Sequence, residues 1–200
     1  MSKSRDENRG SGMQLMAKNR GFTLLELMIV LTVVAIGIAL AVPSYEEVLQ
    51  RRETTSKAES LAAFLAYAQS AAMKRNTAIS IQLTRIDAND WCIGADESLT
   101  GCDCRGVDED DLCTIEGVTK SINSTTQTRS NLSDYAVDTV FAFDPIRGTM
   151  ITADLGNPHS FTLQSDNGNY ELEVNVGVTG RIRVCNSDPD KAVPGFKSCL

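Results

Sequence analysis

Glu26 is a carboxylate in an apolar setting. It lies four residues after Phe22 in residues 22–42, FTLLELMIVLTVVAIGIALAV, a run otherwise almost wholly apolar. An unpaired acid in such a run costs roughly 2.5–3.5 kcal/mol once it enters lipid. It therefore calls for a cation close by; an acid tolerated near a membrane surface is the plainer alternative. Six cysteines form a second set: Cys92, Cys102, Cys104, Cys113, Cys185 and Cys199. An even number, all on one side of the apolar run, suggests an oxidising compartment and disulfides. Arg181 and Arg183 form a third. Two apart on a strand, they project from one face, with Lys191 and Lys197 following in the C-terminal tail.

The spacing of the cysteines narrows their chemistry. Cys185 and Cys199 bracket a tail containing Pro189, Pro194 and Gly195, and a bond closing it contributes on the order of 3 kcal/mol in the chain-entropy model. Cys92, Cys102, Cys104 and Cys113 follow a C-x9-C-x-C-x8-C pattern that lacks the paired knuckle of a zinc site. Cys102 and Cys104 sit too far apart on an extended chain to bond each other. The expected pairs are Cys92 with one of them and Cys113 with the other. The acidic run Asp108-Glu109-Asp110-Asp111 is four carboxylates in a line, whereas calcium needs six to eight oxygens converging on one point. It reads as a solvated face. The single histidine, His159, excludes a His-rich metal centre and is expected to be structural or exposed. No Ser/His/Asp or Cys/His grouping, phosphate loop or paired-carboxylate signature is present, so the expectation is no enzyme, no metal and no cofactor.

The elements that must carry these residues can be read from the pattern. Two hundred residues with a formal charge of −7 fit one domain with an appendage. Residues 1–21 hold five bases (Lys3, Arg5, Arg9, Lys18, Arg20) and two acids (Asp6, Glu7), leaving 14 bases against 24 acids, −10, beyond them. As a helix the run 22–42 is about 31 Å long, close to the ~30 Å hydrocarbon thickness of a membrane. Basic residues precede it and a mixed flank follows, so residues 1–21 are predicted to lie in the cytoplasm and the remainder outside. A general secretory signal would be cut after its apolar region and would not carry an acid there. Past a bend at Pro43, helical periodicity continues over 44–75. Val48, Leu49, Leu61, Leu65, Ala68 and Ala72 form one stripe, thickened by Ala62, Ala63, Ala66 and Ala71. Asn76 and Thr77 end it. Strands are predicted near 78–86, 90–93, 114–122, 137–143, 149–152, 159–164, 170–176 and 180–185. Asp166-Asn167-Gly168-Asn169 marks a hairpin turn, and residues 123–133 read as a polar surface loop. The expected architecture is α+β, one long helix on antiparallel strands.

Arg20-Gly21-Phe22-Thr23-Leu24-Leu25-Glu26-Leu27 resembles the prepilin signature of type IV pilins and pseudopilins. The resemblance implies a pilin fold and cleavage between Gly21 and Phe22 by an inner-membrane prepilin peptidase, which also N-methylates Phe22. Cutting ahead of the apolar helix retains that helix and exposes a cationic amine at Phe22. In a helical filament this amine can pair with Glu26 of a neighbouring subunit in a low-dielectric core, making Glu26 an assembly residue. The parts expected are a leader at 1–21, a membrane and assembly half of the helix at 22–43, an amphipathic half at 44–76 and a periplasmic β-rich head at 77–200. The leader is longer than many prepilins carry, and Met13 and Met16 are alternative starts.

A finer resemblance, over most of 21–185, is to the FimT/GspH group of minor pilins and pseudopilins. It rests on Ala71-Ala72-Met73-Lys74-Arg75-Asn76, on Phe141-Ala142-Phe143 with Arg147-Gly148, and on Gly180-Arg181-Ile182-Arg183-Val184-Cys185. The cysteine-rich insert at 92–113 departs from the simplest members. The group implies a minor pilin of a type IV pilus or a type II secretion pseudopilin, with other pilins and an inner-membrane assembly platform as partners. The Gly-Arg-x-Arg sequence resembles a motif supporting DNA binding in FimT-type minor pilins. Contacts by Arg181, Arg183, Lys191 and Lys197 to double-stranded DNA would then be to phosphates, sequence-independent and salt-sensitive. Two solubilising arginines on an exposed strand are the alternative.

Overall fold

The computed structural model describes residues 21–85, 90–105, 112–124, 130–134, 139–151 and 159–199. Residues 1–20 of the expected leader, the acidic run at 108–111 and parts of the expected loop at 123–133 lie outside the described residues. Two compact units are present, Met1–Pro43 and Ser44–Leu200.

In the first unit the helix α1 (Leu24–Arg75) begins. Thr23 caps it. Its hydroxyl accepts the Glu26 N–H at 3.2 Å, which satisfies one of the orphan donors of the first turn, and its carbonyl accepts the Leu27 N–H at 3.2 Å as the first regular helical bond. The acid at the third helical position also faces the positive end of the helix dipole. The bend expected at Pro43 falls where the two units join, among residues 40–44 whose side chains lie outside the description.

In the second unit the buried stripe of α1 is Thr54, Lys57, Ala58, Leu61, Leu65, Ala68, Ala71 and Ala72. This corrects the expected stripe: Val48, Ala63 and Ala66 face outward, and Thr54 and Lys57 face in. Thr54 is accommodated because its hydroxyl donates to the Gln50 carbonyl at 2.9 Å. The helix ends as Asn76 turns to φ 53°, with Thr77 N–H donating to the Ala72 carbonyl at 3.2 Å, a left-handed cap that asparagine tolerates better than most residues.

Eleven strands follow among the described residues: β1 (Ile79–Arg85), β2 (Trp91–Asp96), β3 (Thr114–Ile115), β4 (Val118–Thr119), β5 (Ser121–Asn123), β6 (Ser130–Asp134), β7 (Thr139–Phe143), β8 (Met150–Ile151), β9 (His159–Ser165), β10 (Glu171–Val176) and β11 (Ile182–Cys185). They form a five-stranded sheet β5-β2-β1-β7-β8, a four-stranded sheet β11-β10-β9-β6 and a small β3-β4 hairpin. All strand pairings are antiparallel. One buried cluster unites the helix stripe with Ile81, Leu83, Ile93, Phe141, Phe143, Phe161, Leu163, Leu172 and Val174 from both sheets. The sheets are also tied directly, the Met150 N–H donating to the Val178 carbonyl at 3.1 Å.

Two expectations need correction. The single strand expected over 114–122 is broken into three. Glu116 and Gly117 both adopt positive φ, 58° and 68°, which makes a tight hairpin turn between β3 and β4. The region expected to be a loop contains β6, which pairs with β9 and buries Leu132 completely. Its one apolar residue gave no alternation to read.

Candidate functional site

Two places gather the residues singled out by chemistry. At the start of the chain, Gly21 has nothing within 4 Å of where a Cβ would stand. Phe22 is 81% exposed. The Gly21 to Phe22 bond thus precedes the helix on open, non-helical backbone. From Phe22 to Ile38 every described large apolar side chain is at least half exposed. A helix apolar on all sides is satisfied only by lipid or by other helices.

The second place is on the head, where β10 and β11 position the arginines. The register sets Arg183 opposite Asn175 and Glu173 opposite Cys185. Val174 and Val176 point into the core. Arg181 and Arg183 consequently share the outward face, and both are exposed. They line a groove of about 680 Å³ together with Asn175, Val184, Phe196, Lys197 and the Cys185 and Cys199 disulfide. Lys197 therefore joins the two arginines. Lys191 does not: its ammonium lies 3.3 Å from Glu171 and 3.9 Å from Asp188, and those acids neutralise it.

The groove is held by residues the sequence reading passed over. Asn186, buried to 7% exposure, donates from Nδ2 to the Val193 and Phe196 carbonyls at 3.2 and 2.8 Å. Its Oδ1 accepts the Val193 N–H at 2.8 Å. Its backbone N–H reaches the Lys197 carbonyl at 2.8 Å, and its carbonyl accepts from Cys199 at 2.9 Å. One side chain thus fixes the tail that carries Lys197. At the other end of β11, Gln69 of α1 donates to the Gly148 and Gly180 carbonyls at 2.7 and 2.8 Å. Gly180 has φ 79°, and a Cβ there would overlap the Gly148 carbonyl and the Gln69 amide. The glycines of both resembling motifs thus meet at one clamp beside Arg181. A glycine preceding an arginine pair was the available signal for Gly180; nothing local marks Gln69 or Asn186.

The β7–β8 turn is set by Asp144. Its Oδ1 accepts the Arg147 and Ile146 N–H groups at 2.7 and 2.8 Å. These bonds, that from Arg147 foremost, hold its carboxyl below the usual range, with the Arg147 charge assisting. Tyr170 is pushed the other way, chiefly because its hydroxyl donates to the Glu47 carboxylate at 2.8 Å, with burial adding to the shift.

The structure pairs Cys92 with Cys104, Cys102 with Cys113 and Cys185 with Cys199. The first two bonds form a compact buried cluster with Gly94 packed against Cys113 and Cys104. Among the described residues no group of acids, histidines and cysteines is placed to hold a metal ion. His159 stacks on Phe141 with ring centroids 4.9 Å apart.

A long N-terminal helix, apolar at its start, followed by a head of antiparallel sheets built on its second half, defines a pilin-type subunit. The chain belongs to the family of the type II transport protein GspH, whose model matches residues 57–191. The prokaryotic N-terminal methylation motif matches residues 16–42. Two crystal structures of the type IV minor pilin FimU from Pseudomonas aeruginosa are similar, each at 20% identity and a TM-score of 0.46. They cover 73% and 71% of this chain and 96% and 98% of the other. No curated protein matches in sequence. By its family and its methylation motif the chain is a structural subunit of the pilin and pseudopilin kind and not an enzyme. Its family and motif imply a membrane-anchored N-terminal helix and a periplasmic head. Among the described residues no helix is long and apolar enough to cross a membrane; described side chains of the apolar part of α1 stop at residue 39.

Proposed function

We propose that this chain is a minor pilin of a type IV pilus, processed between Gly21 and Phe22 and N-methylated at Phe22. In this reading residues 22–42 anchor the subunit in the inner membrane and then move into a filament core. The observation that carries it is the exposed apolar helix with a single acid, Glu26, in its first turn. Such a helix is unsatisfied alone and complete only beside lipid or other copies. The Phe22 amine of a neighbour supplies the charge Glu26 lacks, which the low dielectric of a filament core strengthens. Prepilin peptidase, an assembly platform and other pilins are the partners. Deleting the gene and scoring pili, twitching, secretion and transformation together tests this: loss of pili with intact secretion supports it, and loss of secretion alone refutes it.

The family description favours one alternative, a type II secretion pseudopilin, to which the second outcome belongs. A further role, binding double-stranded DNA, is supported by the convergence of Arg181, Arg183 and Lys197 on one groove of an acidic protein. Gel shifts at low and high salt test it. Arg181→Gln with Arg183→Gln should abolish retention while the fold persists, and absence of any wild-type affinity at low salt ends that role.

A further inference from the structure

The last strand of the four-stranded sheet has an open side. β11 ends the order β11-β10-β9-β6, and two sets of backbone bonds fix which of its groups face outward. The Arg181 carbonyl accepts the Gly177 N–H at 2.9 Å, across the β10–β11 turn. Arg183 and Cys185, in register with Asn175 and Glu173, share that direction, since backbone groups alternate along a strand. Asn186 points the opposite way: both its N–H and its carbonyl are taken by the tail, through Lys197 and Cys199. The groups of Ile182 and Val184 therefore face the same side as those of Asn186, and Val184 lines the groove of about 680 Å³.

The tail shows that this lane accepts a strand. Ser198 already pairs with Asn186 as a parallel bridge. The chain reaches that lane only after Pro194 and Gly195, the latter at φ 103°, and among the described residues Ile182 and Val184 have no backbone partner on that side. Its walls carry Arg181, Arg183 and Lys197. Glu173, opposite Cys185 on β10, is engaged by the Asn175 amide at 3.2 Å. Charged residues on an edge commonly guard it against pairing with copies. Three cations of one sign guard it selectively, repelling basic strands and attracting acidic ones.

We propose that the β11 edge is a docking strip for an extended acidic segment of another protein, which adds to the sheet as a fifth strand. Main-chain bonds to Ile182 and Val184 supply affinity, and acids at alternate positions of the incoming strand meet Arg181, Arg183 and Lys197. The inference rests on backbone direction, not on the filament or DNA readings, and it separates from both. Phosphate contacts need the side-chain cations but not the Val184 N–H. Strand pairing needs both.

The test uses the full, oxidised chain in detergent micelles and a labelled peptide of repeated Thr-Glu pairs, with repeated Thr-Lys as control. The Thr-Glu peptide should bind and slow hydrogen exchange at the Ile182 and Val184 amides about tenfold, and the Thr-Lys peptide should do neither. Val184→Pro removes one outward donor at a site where an edge strand tolerates proline. It should weaken peptide binding by about tenfold, one lost hydrogen bond, and leave retention of a short DNA duplex unchanged. Equal peptide binding by a folded Val184→Pro variant overturns the proposal. So does a peptide-saturated wild type whose two amides remain unprotected, a readout that holds even if the variant fails to fold. Failure of the Thr-Glu peptide to bind, or protection of those amides by DNA alone, also overturns it.

Discussion

Between Phe22 and Ile38 the described large apolar side chains are all at least half exposed, whereas Leu61, Leu65, Ile81, Phe143 and Leu163 are at most 2% exposed. The two units thus handle the same residue types in opposite ways. The head completes its own core, so its residues derive meaning from contacts across long stretches of chain. The N-terminal helix has no core of its own, so its residues derive meaning from what assembles around them. A change in the first region should appear in assembly and hardly in stability. The reverse should hold in the second.

The largest expected effect follows from the lone acid. Glu26→Ala should block incorporation into filaments while cleavage after Gly21 proceeds, because a pair broken at its acidic partner leaves a buried charge uncompensated at about 3–5 kcal/mol. Immunoblots of sheared filaments and of processed precursor measure both, and normal incorporation would contradict the comparison.

The same substitution type placed in each unit sharpens it. Gly180→Ala adds left-handed strain of about 1–2 kcal/mol and forces apart the Gly148 carbonyl and the Gln69 amide, for a total loss of about 3 kcal/mol. Gly37→Ala meets nothing within 4 Å and should leave the melting temperature of the head unchanged. Thermal unfolding of both variants decides, and equal losses would erase the distinction.

A smaller loss is expected at the tail. Asn186→Ala leaves the Val193 N–H and the Val193 and Phe196 carbonyls without their partner, costing about 2 kcal/mol. It should also release Lys197 from the groove, read as faster amide exchange over 193–197.

The smallest effect is a pH dependence confined to one turn. Since the folded Asp144 carboxyl titrates below its ordinary value, its contribution is present above that value and is lost as pH falls through the lower, folded one. Exchange at the Ile146 and Arg147 amides should accelerate in that acid window. Asp144→Asn keeps an acceptor but should remove the pH dependence.

The contrast also explains what was legible in advance. Glu26 and the apolar run around it are a local pattern, and so is the Asp166-Asn167-Gly168-Asn169 turn, which joins β9 to β10. The long helix showed in its period, although Thr54 and Lys57 on its buried face did not, because polar residues leave no apolar trace. β6 was hidden for the same reason. Arg181 and Arg183 share the face their spacing required, yet Lys191 is drawn away from them by Asp188, three residues before it, and by Glu171, which only the folded tail brings near. Gln69 reaches across 79 and 111 residues to its two carbonyls. No local motif encodes such a contact.

The most direct test of the account is the amino terminus of the mature protein isolated from its host. Sequencing should show a single start at Phe22, with one methyl group on its amine and Glu26 as the fifth residue. A mature chain that keeps residues 1–21, or that begins within or beyond the apolar run, would contradict the claim that the acid and the new amine form the assembly pair.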